Sequence, residues 1–463
     1  MATRPPGPKG LPLVGNSRKY AKDPFAFLSA VGDAYPRIAQ FDLGPLSTYM
    51  VTDPADIERV LVSEADQYHK LVFGDAVDDL LGDGLLLSDG KQWRDQRNLA
   101  NPAFTASRVQ SIADTMARIA EEHIAGWSDG DELAMDIELA KLTVKVIVAA
   151  MFGVEADDET VETVQNNLEP LGRRFEPDPR RVLVPEWAPT KENREFADAV
   201  ETLEGVIDDL LAQREGTIES GPTAVSEDET NRTGASGEEG EEPMDLASIL
   251  LRARDQGEQS EKQLRDELMT MLLAGHDTTA LALSYTLYLL SEQPEARERH
   301  LAEVDEIIGT DQPSAAHVRK LEYTDRVLSE SMRLYPPVYA IFREPQVDVK
   351  LGGYRVPAES AVMVPQWVVH RSERYWDEPD QFDPSRWEPE PRADRPRFAY
   401  FPFGGGPRHC IGKQFANLEA KLVLAALGKR FSMEYVGPEL ELRGSLTMHP
   451  KEPLTMRVSE REN

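Results

Sequence analysis

Phe401-Pro-Phe-Gly-Gly-Gly-Pro-Arg-His-Cys-Ile-Gly-Lys-Gln-Phe-Ala416 carries the one cysteine of a 463-residue chain. Three glycines and a proline ahead of Cys410 resist regular structure and allow backbone to approach a flat ligand closely. Beyond it, Ile411 to Leu427 reads as a helix. A thiolate at a helix amino terminus is favoured by the dipole and by free backbone N–H groups, which lower the thiol pKa and suit it to a metal. Taken alone, an isolated cysteine reads as an inert buried thiol. With no second cysteine, an intrachain disulfide and a Cys-cluster zinc or iron–sulfur site are excluded.

Outward from this stretch, amphipathic helical periodicity covers Ser111 to Gly126, Asp136 to Gly153, Glu192 to Arg214, Glu261 to Ser291 and Pro294 to Gly309. Strand signals are short: Ile38 to Phe41, Thr48 to Val51, Val347 to Leu351, Tyr354 to Val356 and Ala361 to Val364. Gly352-Gly353 joins two of them as a hairpin turn would. The fold class expected is mainly α with small β-sheets (α+β). Residues 215–243 are rich in Gly, Ser, Thr and Glu, too poor in apolar groups to offset their ordering entropy, and read as a flexible acidic surface loop. No other composition break appears, so residues 1–463 read as a single domain.

The charge balance is lopsided, 51 Lys+Arg against 82 Asp+Glu, a net −31 with pI near 4.7. Phosphate neutralisation dominates nucleic-acid affinity and needs the opposite sign, so a nucleic-acid partner is excluded. Such a charge opposes compaction unless salt screens it, which points to a halophilic cytoplasmic protein; an acidic protein with a basic partner fits the charge too. The longest uncharged run, Thr278 to Ser291, is too short for a membrane span, and the amino terminus has no apolar signal core. The histidines form no His-x-x-x-His or His-Glu-x-x-His, and there is no dinucleotide or Walker glycine loop and no Gly-x-Ser-x-Gly elbow.

Phe403, Gly406, Arg408, Cys410 and Gly412 fit Phe-x-x-Gly-x-Arg-x-Cys-x-Gly, which resembles the haem-thiolate signature of the cytochrome P450 monooxygenases. The resemblance implies a cytochrome P450 fold around haem b, with Cys410 as axial iron ligand, Arg408 pairing a haem propionate and Phe403 beside the sulfur. A thiolate ligand pushes electron density through iron and favours O–O cleavage.

Three more stretches carry the likeness. Glu330-Ser-Met-Arg333 alone reads as a solvated helix pair. Followed by Leu334-Tyr335-Pro336-Pro337 and later by Phe382-Asp-Pro-Ser-Arg386-Trp387, it resembles the family's Glu-x-x-Arg helix and downstream arginine, implying a structural triad of Glu330, Arg333 and Arg386. Ala274-Gly-His-Asp-Thr-Thr279 sets glycine and two threonines inside a helix, where propensity disfavours them. It resembles the oxygen-activation helix. Ala274 would then lie against the haem, Thr278 would meet dioxygen, Asp277 would relay protons, and Gly275 would leave room for the gas. Trp93-Arg-Asp-Gln-Arg97 puts an indole and a guanidinium on one helical face, as a cation–π pair would, and resembles the family's propionate-binding Trp-x-x-x-Arg. Arg343 matches a further propionate arginine.

The resemblance implies insertion of one oxygen atom from O₂ into an organic substrate. With no flavin or nicotinamide domain in the sequence, a separate electron donor is expected. Residues 408–430 are locally +4, and Lys413 and Lys421 are expected to dock an acidic ferredoxin. Leu86, Val338, Ala340 and Ile341 are candidate pocket residues, apolar enough for a lipid, terpenoid or fatty chain. Bacterial fatty-acid hydroxylases anchor the carboxylate with an arginine in the early sheet; Gly44-Pro-Leu-Ser-Thr-Tyr49 has none. Two rivals share Cys410: a peroxide-driven or isomerising haem-thiolate enzyme, which would not need the Asp277–Thr278 pair, and a non-enzymatic haem sensor or carrier.

Overall fold

The structure is a computed structural model that describes residues 4–71, 80–177, 188–219 and 245–461. The chain is mostly helical with small sheets, as the periodicity predicts. Its longest helix, Glu261–Glu292, starts where the Ser260 hydroxyl accepts the Gln263 N–H at 3.1 Å and stops just before Pro294. From Thr279 to Leu290 nearly every side chain on it is buried, so it runs through the interior. Its poor helix formers are back-bonded: the hydroxyls of Thr278, Thr279, Ser284 and Thr286 donate to carbonyls four residues earlier at 2.6 to 3.0 Å.

Met135–Phe152 packs along this helix, and Lys413–Arg430, the helix after Cys410, crosses it on another side. The large apolar cluster joins all three. Glu322–Leu334, carrying Glu330 and Arg333, packs beside them.

The principal sheet is ordered Ile38–Leu43, Leu46–Val51, Ala361–Val364, Ile341–Pro345, Tyr68–Lys70, and is antiparallel except where Leu46–Val51 runs parallel to Ala361–Val364. The hairpin Val349–Leu351 to Tyr354–Val356 turns at Gly352-Gly353, as expected. Tyr68–Lys70 and Ile341–Pro345 carry no strand pattern in sequence, yet their pairing sets Lys70 opposite Arg343. A three-stranded sheet, Glu132–Ala134, Thr455–Glu460 and Phe431–Tyr435, and the hairpin Leu442–Gly444 to Met448–Pro450 complete the described strands.

Residues 215–219 of the expected acidic loop are helical. The helix Lys191–Glu219 continues through them, because Arg214 is tied to Asp245 at 2.6 Å and Glu215 meets Arg254 at 2.8 Å. Residues 220–243 of that loop lie outside the described residues.

Candidate functional site

The loop before Cys410 is folded on itself, with the Cys410 N–H donating to the Phe403 carbonyl at 3.0 Å and Gly406 at φ +66°. A Cβ on Gly406 would run into the Leu61 carbonyl oxygen, so only glycine fits. The Lys413–Arg430 helix starts three residues after the thiol, with Gly412 as its cap. Cys410 keeps accessible surface although protein surrounds it on most sides, which places the thiol in a cleft. The sequence expectation of a lowered thiol pKa is corrected here. Burial pushes it up, against the opposing pull of the Gly412 N–H, Arg97 and Lys413.

Around the thiol the structure gathers cations. Arg97, on the helix Gly90–Ala100, donates to the His409 carbonyl at 3.1 Å, one residue before Cys410. Arg408 lies 4.6 Å above the Trp93 ring, pairs with Asp89 and donates to the Ser88 carbonyl at 2.9 Å. Its neighbour Arg343 donates to the Phe342 carbonyl at 2.8 Å; burial, reinforced by Arg408, brings its pKa down to about 10. Lys70 completes the group, donating to the Leu86 carbonyl and pushed well below the ordinary lysine range by burial and then by Arg343 and Arg408. Among the described residues Asp89 is the one carboxylate in this group. It caps the Trp93 helix and accepts the Lys70 backbone N–H at 3.1 Å.

Among the described residues, four crowded cations stand against one carboxylate, an excess of three positive charges, and uncompensated buried charge is expensive. A flat macrocycle carrying two carboxylates beside a thiol-ligated metal answers that excess, so the residues fit haem. Lys70 and Asp89 were missed in the sequence. The first lies in a strand without strand pattern; the second has only the Ser88-Asp89-Gly90 helix-cap signal.

The opposite wall is the long helix. Ala274 is exposed between buried turns of this helix, and Thr278 lies one turn on, so this stripe borders open space. The Thr278 hydroxyl donates to the Ala274 carbonyl at 2.8 Å. Asp277 points elsewhere. Its carboxylate accepts the Thr447 hydroxyl at 2.7 Å and lies 3.5 Å from His449 Nε2, both on the Leu442–Pro450 hairpin. Burial alone would raise its pKa, but His449, with help from His276 and Thr447, holds it down at about 2. No hydrogen bond joins Asp277 to Thr278. The space expected at Gly275 is filled: a Cβ there would sit 2.6 Å from Ile147 Cδ1 of the Met135–Phe152 helix, so this glycine serves helix packing.

The structure brings Glu330, Arg333 and Arg386 together. Arg333 is bidentate on Glu330 at 2.7 and 2.9 Å with neither side chain exposed, so the pair is not a surface one. Arg386 lies 3.3 Å away as an ion pair without a hydrogen bond. The indole of Trp387 donates to Glu330 at 3.0 Å, a partner the sequence reading missed.

Phe403 is half-buried, with Lys413 5.8 Å from its ring centre. Leu86 lies beside Lys70, while Ala340 and Ile341 pack against separate apolar clusters and Val338 is partly exposed. The docking pair is unequal. Lys413 is exposed, but Lys421 is bound to Asp325 at 2.9 Å, so the local excess of basic residues overstates the free charge.

The family model for cytochrome P450 matches residues 5–456. The chain belongs to the cytochrome P450 family. It is similar to cyclooctatin synthase of Streptomyces melanosporofaciens, 33% identical over 95% of this chain and 92% of that one. Cyclooctat-9-en-7-ol 5-monooxygenase of the same organism is 29% identical over 93% and 89%. The crystal structure of the heme domain of cytochrome P450DA superposes with a TM-score of 0.83 at 24% identity, covering 100% of this chain and 99% of that one, and supports the fold. This P450 is a haem-thiolate monooxygenase that binds haem b through a cysteine thiolate, and among the described residues no helix is long and apolar enough to cross a membrane.

Proposed function

We propose that this P450 is a single haem domain that hydroxylates an apolar, carbocyclic substrate of terpenoid type, drawing electrons from a separate acidic ferredoxin. The observation that carries the site reading is the Cys410 thiol set among Lys70, Arg97, Arg343 and Arg408. Support for the substrate class comes from the apolar pocket candidates Leu86, Val338, Ala340 and Ile341 and from the alkenol that names one relative. The early sheet offers no arginine between residues 44 and 49 to hold a fatty acid's carboxylate.

In this reading Cys410 ligates the iron, and Lys70, Arg97, Arg343 and Arg408 hold the two propionates, with Trp93 orienting Arg408 by its ring face. When bound, haem supplies the activation of O₂ and the insertion of one oxygen atom. The protein's part is to bind, orient and move protons. Phe403 closes the loop over the sulfur side, and the Glu330, Arg333, Arg386 triad fixes the helix behind the site against the 379–387 segment. Thr278 turns its hydroxyl from the Ala274 carbonyl toward the cleft. Asp277, held ionised by His449 and Thr447, takes a proton from the half-buried His449 side and passes it inward, which requires the carboxylate to leave the hairpin during turnover. Lys413 offers an exposed cation on the electron-donor face, and Lys421 joins it when Asp325 is displaced. The acidic composition supports a salt-rich cytoplasm as its setting.

The test is turnover with NADH and a surrogate ferredoxin pair on cyclic terpene alcohols and on fatty acids of similar size. Product from the terpenes with Soret shifts on binding is expected; efficient fatty-acid hydroxylation with no terpene product would overturn the substrate reading.

A further inference from the structure

Along the Glu261–Glu292 helix the hydroxyls of Thr278, Thr279, Ser284 and Thr286 all donate to carbonyls four residues earlier. Thr270 departs from that habit. The residue is 3% exposed, and among the described residues its Oγ1 has no hydrogen-bond partner. Three residues earlier on the same face Glu267 is as deeply buried. One of its carboxyl oxygens takes the Leu85 N–H at 3.0 Å, and Oε1 has no partner among the described residues. The covering segment runs through Gly84, where a Cβ would sit 2.2 Å from Thr270 Oγ1, so the glycine leaves that hydroxyl uncovered. From Glu267 and Thr270 the same stripe leads to Ala274 and Thr278 at the cleft, and both Ala274 and Leu86 of the covering segment are exposed there. Buried polar atoms without partners are destabilising, and two of them side by side on one face call for a ligand that satisfies both.

We propose that Glu267 and Thr270 form a subsite for a hydroxyl already present on the substrate. A ligand hydroxyl answers both atoms at once, donating its proton to Glu267 Oε1 and accepting from Thr270 Oγ1. An ether has no proton to give the carboxylate, and a hydrocarbon leaves both oxygens unanswered. The inference rests on the terpenoid reading and narrows it to alcohols. At the rise of an α-helix, Thr270 and Glu267 lie about 6 and about 10 Å along the axis from Ala274. The oxygen inserted beside Ala274 therefore enters a carbon remote from the anchored one, and the product is a diol with its two oxygens well separated. The substrate must come from a reaction that has already installed one hydroxyl.

Soret titration of the haem-loaded protein tests it, with cedrol and menthol each compared with its methyl ether and its parent hydrocarbon, cedrane or p-menthane. The titration is run at about pH 8, where Glu267, pushed up to about 7 by burial, is ionised and can only accept. Each alcohol should bind at least about tenfold more tightly than its ether and its hydrocarbon. Thr270→Val should bring the alcohol down to the affinity of the hydrocarbon and leave the hydrocarbon's own affinity and the ligand-free Soret band unchanged. Thr270→Ser, which keeps the hydroxyl, should restore most of the preference. Equal binding of alcohol, ether and hydrocarbon, or an alcohol preference that survives Thr270→Val, would overturn the subsite while leaving the terpenoid reading in place, and would assign the two oxygens to a trapped water. No Soret shift with any of the ligands would overturn the terpenoid reading and the subsite with it.

Discussion

A carboxylate out of reach of water must be answered by protein donors, and Glu330 is answered by Arg333 twice, by the Asp383 N–H at 3.0 Å and by the Trp387 indole. Arg333 in turn spends its remaining N–H groups on the carbonyls of His370, Pro379 and Gln381. Neutralising the acid leaves two guanidinium groups uncompensated, so Glu330→Gln should cost about 3–5 kcal/mol in urea unfolding. A loss under about 1 kcal/mol would mean that the carbonyls hold Arg333 unaided. Glu267 is the opposite case, a buried carboxyl with one donor, the Leu85 N–H at 3.0 Å, and one oxygen without a partner. Burial pushes its pKa up to about 7 from 4.5. A raised folded value means stability that is full below about 4.5 and lost as pH rises toward 7. Glu267→Gln keeps an acceptor for Leu85 but has no proton to lose. Relative to wild type it should therefore gain stability across that window, by up to about 3 kcal/mol at pH 8. Parallel pH profiles of unfolding for the two proteins would show that Glu267 does not titrate in the fold.

At the scale of elements, the long helix and its neighbour Met135–Phe152 meet at Gly275 and Ile147. Gly275→Ala should lower the thermal midpoint, at a cost of about 1–3 kcal/mol from overpacking. Adding Ile147→Val removes the offending methyl and should recover most of that loss, giving a coupling near the size of the single effect. Additive losses would place the strain elsewhere. This junction also shows what sequence could reveal. The Ala274–Thr279 motif and the helix around it were legible, because glycine and threonines in a helix interior demand a cause. Which cause was not legible, since Ile147 reaches Gly275 from more than a hundred residues away. Likewise the ends of the Met135–Phe152 and Glu261–Glu292 helices and the Gly352-Gly353 hairpin followed from local pattern, whereas the end of Lys191–Glu219 did not. Tyr68–Lys70 and Ile341–Pro345 form strands only because each finds the other, and Lys70 joins the cation cluster through that pairing. Cys410, Arg408 and the Glu330 triad were legible only through motifs that resemble those of a known family. Asp89, Thr447 and His449 act through partners distant in the chain, and single-sequence pattern carries no trace of those.

Across the whole molecule, acids outnumber bases by 31, so many carboxylates have no cation to meet however the chain folds. The exposed ion pairs that do form, such as Arg118 with Glu122 and Glu155, contribute at most about 1 kcal/mol each. Salt weakens those pairs and weakens the repulsion among unmatched carboxylates at the same time. The repulsion is the larger quantity, because it sums over every like-charged neighbour within a Debye length and unfolding relieves it by spreading the charges apart. Raising KCl from about 0.1 to 1 M shortens that length from about 10 to about 3 Å. The thermal midpoint should therefore rise with KCl and equally with NaCl, since screening depends on ionic strength and not on the cation. A midpoint that stays flat or falls would show that the ion pairs dominate, and would remove the acidic composition as a sign of a salt-rich habitat.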